Sequence, residues 1–452
     1  MWKQARVSAV HKKGDVNDME NYRPISVLPI TSKIIERHVH KHLYLHMHPM
    51  LHVSQSGFRE GHSCETALIN MLDQWTKSID DGDLNAVIML DLKKAFELIN
   101  HELLLEKLLA YNVSELSSTW FKSYLQNRYQ VVSLQNGLSD KLSVPSGVPQ
   151  GSIIGPLLFI IFVNDLPLHL SASNIVDMYA DDTTITTTGK CLDDVKGNVD
   201  TLVNEAESWC KGNCMALNME KTKGMLITTR QKRRRLSKDE ITTFSQRISL
   251  TDKHKVLGVI VDQDLTWNEH VQYVARRVSS YVALLRRIKQ FLPIRVRRIF
   301  FMAYIQSCYD FCLSVWGASC HITRIEKLQK LAIRVVLDRP KRESSKPLFK
   351  EMHIMPMSTR VDFKQTLLVY KALNQLAPTY LQRMFLRKEQ EKKTRSVTQG
   401  DLCIPKVRTK LRKMTLVVRG AELYNSCNRC VREADSVLKF KRNYICDFFK
   451  TF

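Results

Sequence analysis

The sequence has no apolar run long enough to cross a bilayer. Its longest, Ile153 to Val163, falls well short of the ~20 residues a spanning helix needs and contains Pro156. The start, Met1-Trp2-Lys3-Gln4-Ala5-Arg6, has no apolar core of signal-peptide length. No internal repeat is visible. Eleven cysteines make an odd number at irregular spacing, which argues against a disulfide framework and for a reducing, intracellular compartment. Cys210-x₃-Cys214 and Cys427-x-x-Cys430 each lack a second pair at zinc-site spacing. Secreted and membrane-spanning classes are therefore not expected.

Acidic residues are few against basic ones, 45 to 68, and the net charge is +23. Such an excess calls for a polyanionic partner. Nucleic acid is the first candidate, although an anionic membrane surface fits charge alone equally well. A chain of 452 residues with 44% hydrophobic content is ordinary for a globular protein of two to four domains.

The few acids are placed suggestively. Met178-Tyr179-Ala180-Asp181-Asp182-Thr183-Thr184 is flanked by β-branched and apolar residues, which predicts two short strands with Asp181 and Asp182 at a hairpin tip. Adjacent carboxylates repel unless a cation sits between them or one takes a proton. A hard divalent ion, Mg²⁺ or Mn²⁺, suits an oxygen donor set. Upstream, the buried-strand pattern Ala86-Val87-Ile88-Met89-Leu90 ends in Asp91. Three carboxylates of this kind hold two ions in sites of phosphoryl transfer. Asp-Asp alone would be an ordinary acidic turn, so the other motifs decide its weight.

Tyr179-Ala180-Asp181-Asp182 following Asp91-Leu92-Lys93-Lys94-Ala95-Phe96 resembles the catalytic palm of reverse transcriptases, and more narrowly the non-LTR retrotransposon (LINE, jockey-like) group. The resemblance runs from Arg6 to about Leu381, with its motifs in family order. It implies an α/β (α+β) right-hand polymerase: fingers over 1–86, an antiparallel-sheet palm over 87–250, a primer-grip-like hairpin over 251–266 and a helical thumb over 267–340. A basic helical region follows over 341–452. The implied reaction is RNA-directed DNA synthesis, with an RNA template, a DNA primer and deoxynucleoside triphosphates as partners. Two Mg²⁺ ions (Mn²⁺ as substitute) would be held by Asp91, Asp181, Asp182 and the Leu92 carbonyl.

Further roles are implied residue by residue. Phe96 would exclude a 2′-hydroxyl, and Gln150 and Gly151 of Gly147-Val148-Pro149-Gln150-Gly151-Ser152 would line the nucleotide pocket. Arg23, Arg59 and Lys13 would lie near triphosphate or template. Lys221 in Leu217-Asn218-Met219-Glu220-Lys221-Thr222 would act on the pyrophosphate leaving group; a surface lysine on a turn is the plain alternative. Glu97 stands where relatives commonly have Asp. The family normally has more chain ahead of the Lys-Lys-Gly-Asp element, so shortened fingers and no preceding endonuclease are expected. An inactive, nucleic-acid-binding remnant of a retroelement is the second reading. Lys232-Arg233-Arg234-Arg235 fits a nuclear-import signal, a nucleic-acid contact or a solvated loop, and a nuclear site of action rests on the resemblance alone.

Local patterns add expected elements. Helices are expected over Lys33 to Leu45, Glu65 to Ile79, His101 to Ala110, Leu116 to Leu125 and Leu192 to Lys211. Further helices are expected from Trp267 to Pro293, Val296 to Trp316, Glu326 to Leu337 and Met357 to Leu376. A hairpin is expected around Asn136-Gly137 and a strand pair around Leu257-Gly258. Residues 386–415 read as basic and loop-rich.

Overall fold

The computed structural model describes residues 3–452 apart from 13, 135–136, 172–173, 237–246 and 389–399. A central sheet carries the acidic motifs. Its strands, in spatial order, are β10 (Ser249–Leu250), β9 (Lys223–Ile227), β3 (Leu84–Leu90), β8 (Asp182–Gly189) and β7 (Ile175–Tyr179). Pairing is antiparallel except between β9 and β10. Every residue of β3 is buried, as its unbroken apolar run requires of a strand covered on both faces. Alternate side chains enter different cores. Val87 and Met89 pack with α2 (Cys64–Asp80) and the helices of the C-terminal half. Ala86, Ile88 and Leu90 pack with α3 (His101–Ala110), α4 (Glu115–Leu125), α5 (Gly155–Phe162) and α7 (Leu192–Gly212).

The helix α2 forms where a Ser63–Thr66 capping box satisfies its first turn and an apolar stripe faces the sheet. It is tied to the sheet by Trp75 Nε1 donating to Thr186 Oγ1 at 2.8 Å and Asn70 Nδ2 donating to Asp177 Oδ1 at 2.8 Å. α1 spans Ile30–Met47, longer at both ends than its sequence pattern suggested. α6 is a single turn, Leu166–His169.

A second sheet lies on the N-terminal side, with β2 (Tyr22–Val27) beside β1 (Gln4–His11), then β4 (Tyr129–Leu134), which also pairs with β5 (Gly137–Leu138) and β6 (Leu142–Ser143). β1 and β4 run parallel, Gln4 opposite Tyr129. The hairpin expected within 87–250 therefore joins the N-terminal sheet rather than the central one, because β1 offers β4 an open edge. The turn at Asn136 lies outside the described residues.

The small hairpin of β11 (Lys253–Val256) and β12 (Val259–Asp262) turns at Leu257-Gly258, as expected. Beyond it the chain is helical, beginning with Asn268–Ile288, which buries Val271, Val274, Val278, Val282 and Leu285. The expected helix Val296 to Trp316 is not continuous. It runs as α-helix Ile294–Phe300, π-helix Phe301–Gln306 and α-helix Ser307–Asp310, then breaks at Cys312, whose φ is +50°. Trp316 Nε1 donates to Phe311 O across the break, replacing a lost helical bond. Thr323–Leu337 and Met357–Leu373 form as the periodicity predicts. No described helix is long and apolar enough to cross a membrane.

Candidate active site

The β7–β8 ladder ends with Tyr179 opposite Asp182, leaving Ala180 and Asp181 as a two-residue turn. Ala180 takes φ +59°, a left-handed conformation that costs a residue with a Cβ about 1 kcal/mol. On the other side of β8, Leu90 of β3 faces Thr183, so the next position in register sets Asp91 beside Asp182. Asp181 stands at the turn beside Asp182, where its charge is felt, and is not among the residues that line the cavity on which Asp91 and Asp182 open. The three carboxylates named from the sequence are thus gathered by two strand pairings.

Their mutual electrostatics are visible at Asp182. Partial loss of hydration raises its pKa, and the charges of Asp181 and Asp91 raise it further, while Lys12 and Arg23 oppose the shift. A proton or a cation relieves such a trio. Among the described residues no three His, Cys, Asp or Glu side chains already form a closed metal cage. An open set of carboxylate oxygens nonetheless fits Mg²⁺, which keeps several waters and is commonly held by one or two carboxylates plus substrate phosphates.

Leu92 pairs with Leu217, with Asn218 N donating to Asp91 O at 2.7 Å and Lys93 N to Ala216 O at 2.9 Å. In this geometry the flanking residues make the ladder bonds, and the Leu92 carbonyl stays outside them.

Asp91 and Asp182 open on a cavity of about 570 Å³ whose walls also carry Lys12, Lys221, Lys223, His254 and Lys255. Lys221 is exposed on the turn before β9, facing this space. Burial and Lys223 hold His254 below its ordinary pKa. An acidic floor beneath cationic walls suits a polyphosphate carried with its metal ions.

Phe96, Gln150 and Gly151 are not in the wall of this cavity and form a group of their own. Phe96 is half-buried and stacks on Phe159 of α5, ring centroids 4.4 Å apart. The 147–152 loop is pinned to it by Val148 N donating to Phe96 O at 2.9 Å, and to β2 by Ser26 N donating to Gln150 O at 2.7 Å. Gly151, at φ +118°, allows that approach, since a Cβ there would lie 2.5 Å from Ser26 O. Arg23 is on the same strand, so β2 links the two groups.

Arg59 is differently employed. Its Nη1 donates to His52 O at 2.9 Å and Gln55 O at 3.0 Å, so the guanidinium braces the 52–59 loop instead of entering the cavity. Burial lowers its pKa. Lys13 lies outside the described residues. Within the basic run, Lys232 Nζ donates to Gly82 O and Lys190 O, and Arg233 pairs with Asp264. Those two charges are largely engaged by the fold. Sequence reasoning missed Lys12, Lys223, His254 and Lys255 as cavity residues. Only the neighbouring Lys13 and Lys221 gave a hint.

A sequence profile of the family described as reverse transcriptase (RNA-dependent DNA polymerase) matches residues 10–261, which includes both acidic motifs. The probable RNA-directed DNA polymerase from transposon BS of Drosophila melanogaster is 26% identical over 376 residues, 80% of this chain and 41% of that protein. The RNA-directed DNA polymerase from mobile element jockey of the same species is 25% identical over 353 residues, 75% of this chain and 38% of that one. The chain thus spans about two fifths of the length of these curated relatives. Among solved structures, apo telomerase from Candida Tropicalis is similar at 12% identity and a TM-score of 0.43, over 84% of this chain and 69% of that one.

Proposed function

We propose, on the premise that this chain belongs to the reverse transcriptase (RNA-dependent DNA polymerase) family, that it copies RNA into DNA as the polymerase of a jockey-like non-LTR retrotransposon. One observation carries the reading. Asp91 and Asp182 adjoin across neighbouring strands, with Asp181 at the turn and lysines around the cavity they open on.

In this reading residues 1–86 are fingers, 87–250 palm, 251–266 primer grip and 267–340 thumb, with 341–452 a C-terminal support. The primer 3′-hydroxyl attacks the α-phosphorus of a deoxynucleoside triphosphate. The new P–O bond forms as the bond to pyrophosphate breaks. Asp91, Asp181, Asp182 and the Leu92 carbonyl would hold two Mg²⁺ ions, or Mn²⁺ in their place. Such ions, when bound, lower the pKa of the hydroxyl and neutralise the phosphates.

The rest falls to side chains. Lys221, and Lys12 across the cavity, hold charge that moves onto the leaving pyrophosphate. Phe96, fixed by Phe159, narrows the space beside the sugar, which disfavours a ribonucleotide by clash. Gln150 and Gly151 position the base pair, and Arg23 lies within electrostatic reach of the metal-binding carboxylates. Action on chromosomal DNA, and hence in the nucleus, belongs to the same proposal.

Primer extension on an RNA template with a DNA primer, Mg²⁺ and deoxynucleotides tests it. The wild-type chain extends. Asp181→Asn and Asp91→Asn lose at least about 10³-fold in rate while binding primer-template within a few-fold, since the lost interaction stabilises charge in the transition state. Normal extension by either variant overturns the assignment.

A further inference from the structure

We propose that Gln55 is a positioning residue for the catalytic turn, holding Ala180 in its strained conformation so that Asp181 is presented correctly. The inference rests on the polymerase reading above.

β7 is the edge strand of the central sheet, and Ser54 to Ser56 cover its outer side. Met178 N donates to Ser54 O at 2.9 Å, and Ser56 N to Met178 O at 2.8 Å. This brief parallel pairing delivers the Gln55 side chain to the turn, where its Oε1 accepts from Ala180 N at 3.0 Å and Gly57 N at 2.7 Å. Gln55 is 1% exposed, so this bond is shielded from bulk solvent. Ala180 is buried as well. Without this acceptor its N–H would be a buried, unsatisfied donor, a penalty added to that of the left-handed φ.

The approach is close enough to demand Gly57. A Cβ there would lie 2.3 Å from Ala180 N. The loop is itself held from three directions. Arg59 binds its carbonyls, Asn164 Oδ1 accepts from His52 N at 2.7 Å, and Tyr380 Oη lies 3.1 Å from Ser56 Oγ. Tyr380 belongs to the C-terminal region and also reaches Thr66 Oγ1 on α2 at 3.2 Å. A side chain 125 residues before the turn thereby sets its geometry, and Tyr380 steadies the loop that carries it.

Three variants test this: Gln55→Met, which keeps the shape and removes the acceptor, Ala180→Gly, and the pair together. The first readout is hydrogen exchange at the residue-180 amide in the metal-free protein, with the Val87 and Ile88 amides as fold controls. In Gln55→Met the residue-180 amide loses protection while the controls keep theirs. The second readout is primer extension. Gln55→Met lowers kcat by about 10²-fold, the scale of a displaced reacting group, and changes KM for the deoxynucleotide by less than about threefold. Glycine adopts the left-handed turn without strain. In the Ala180→Gly background, adding Gln55→Met therefore costs less than about tenfold. The double variant also supplies a folded test if Gln55→Met alone loses the control protections.

Unchanged exchange in Gln55→Met, or unchanged kcat despite faster exchange, overturns the proposal. So does an equal loss in both backgrounds. If the wild type fails to extend any primer, the polymerase reading falls, while the exchange result still reports on the brace.

Discussion

Asp177 sits on β7 at 4% exposure, with Asn70 Nδ2 its donor at Oδ1 and, among the described residues, no partner for Oδ2. Burial pushes its pKa up from 3.8 to about 7, and the Asn70 bond opposes the shift. Between those values the folded chain keeps a proton that the unfolded chain has released. The stability contributed by this group therefore falls as pH rises from about 4 to about 7 and is level above that. Asp177→Asn, which mimics the protonated acid, removes the cost. In thermal or urea unfolding the variant matches wild type near pH 4 and gains a few kcal/mol by pH 7.5, at ~1.4 kcal/mol per unit. A stability difference that does not grow over this range contradicts the buried-acid account. The acid was legible at this scale only as a polar residue in a strand, because burial depends on α2 lying across it. Phe96 and the 147–151 loop were legible as motifs, but their fixing by Phe159 and Ser26 was not.

At the scale of elements, α2 is where the C-terminal region docks. Arg412 is 7% exposed, and its Nη1 donates to Asp73 Oδ1 at 2.6 Å and Thr76 Oγ1 at 3.0 Å. Burial raises the pKa of Asp73, and the charge of Arg412 counters it. Removing one partner of such a pair leaves the other buried and uncompensated. Arg412→Ala is expected to destabilise by about 3–5 kcal/mol, and the Arg412→Ala/Asp73→Ala double variant by less. Urea midpoints of the two singles and the double decide this; a strictly additive double contradicts the pairing. Helices were well read from periodicity, since burial of a stripe is a local property. The break in Val296 to Trp316 was not, because π-helical insertion and the left-handed Cys312 leave no repeat in the sequence.

Across the whole molecule, the net charge of +23 carries a prediction about salt. Arg276, Arg286 and Arg287 are exposed on the helix Asn268–Ile288, whose other face is core. On the polymerase reading they meet phosphates. Log affinity for primer-template should then fall linearly with log salt, and Arg286→Gln/Arg287→Gln should flatten that slope by about 1.4–1.8, at ~0.7–0.9 per contact. Binding isotherms at several salt concentrations measure it, and an unchanged slope would place the nucleic acid elsewhere. Extension rate at saturating primer-template should be nearly unaffected, since these groups act on binding.

The order and chemistry of the acidic motifs, the strand that leads into Asp91, the hairpin that carries Asp181 and Asp182, and most helices could all be read along the chain. These are local signals: a run of apolar residues, a repeat of 3.6, a turn between β-branched strands. Which groups come together and which serve as supports was set by the packing of distant segments. Arg59 became a brace, Lys12 a wall of the cavity, and the β4 hairpin part of the N-terminal sheet. The physical reason is separation along the chain. Gln55 meets Ala180 across 125 residues and Arg412 meets Asp73 across 339, and no local pattern records such a partner.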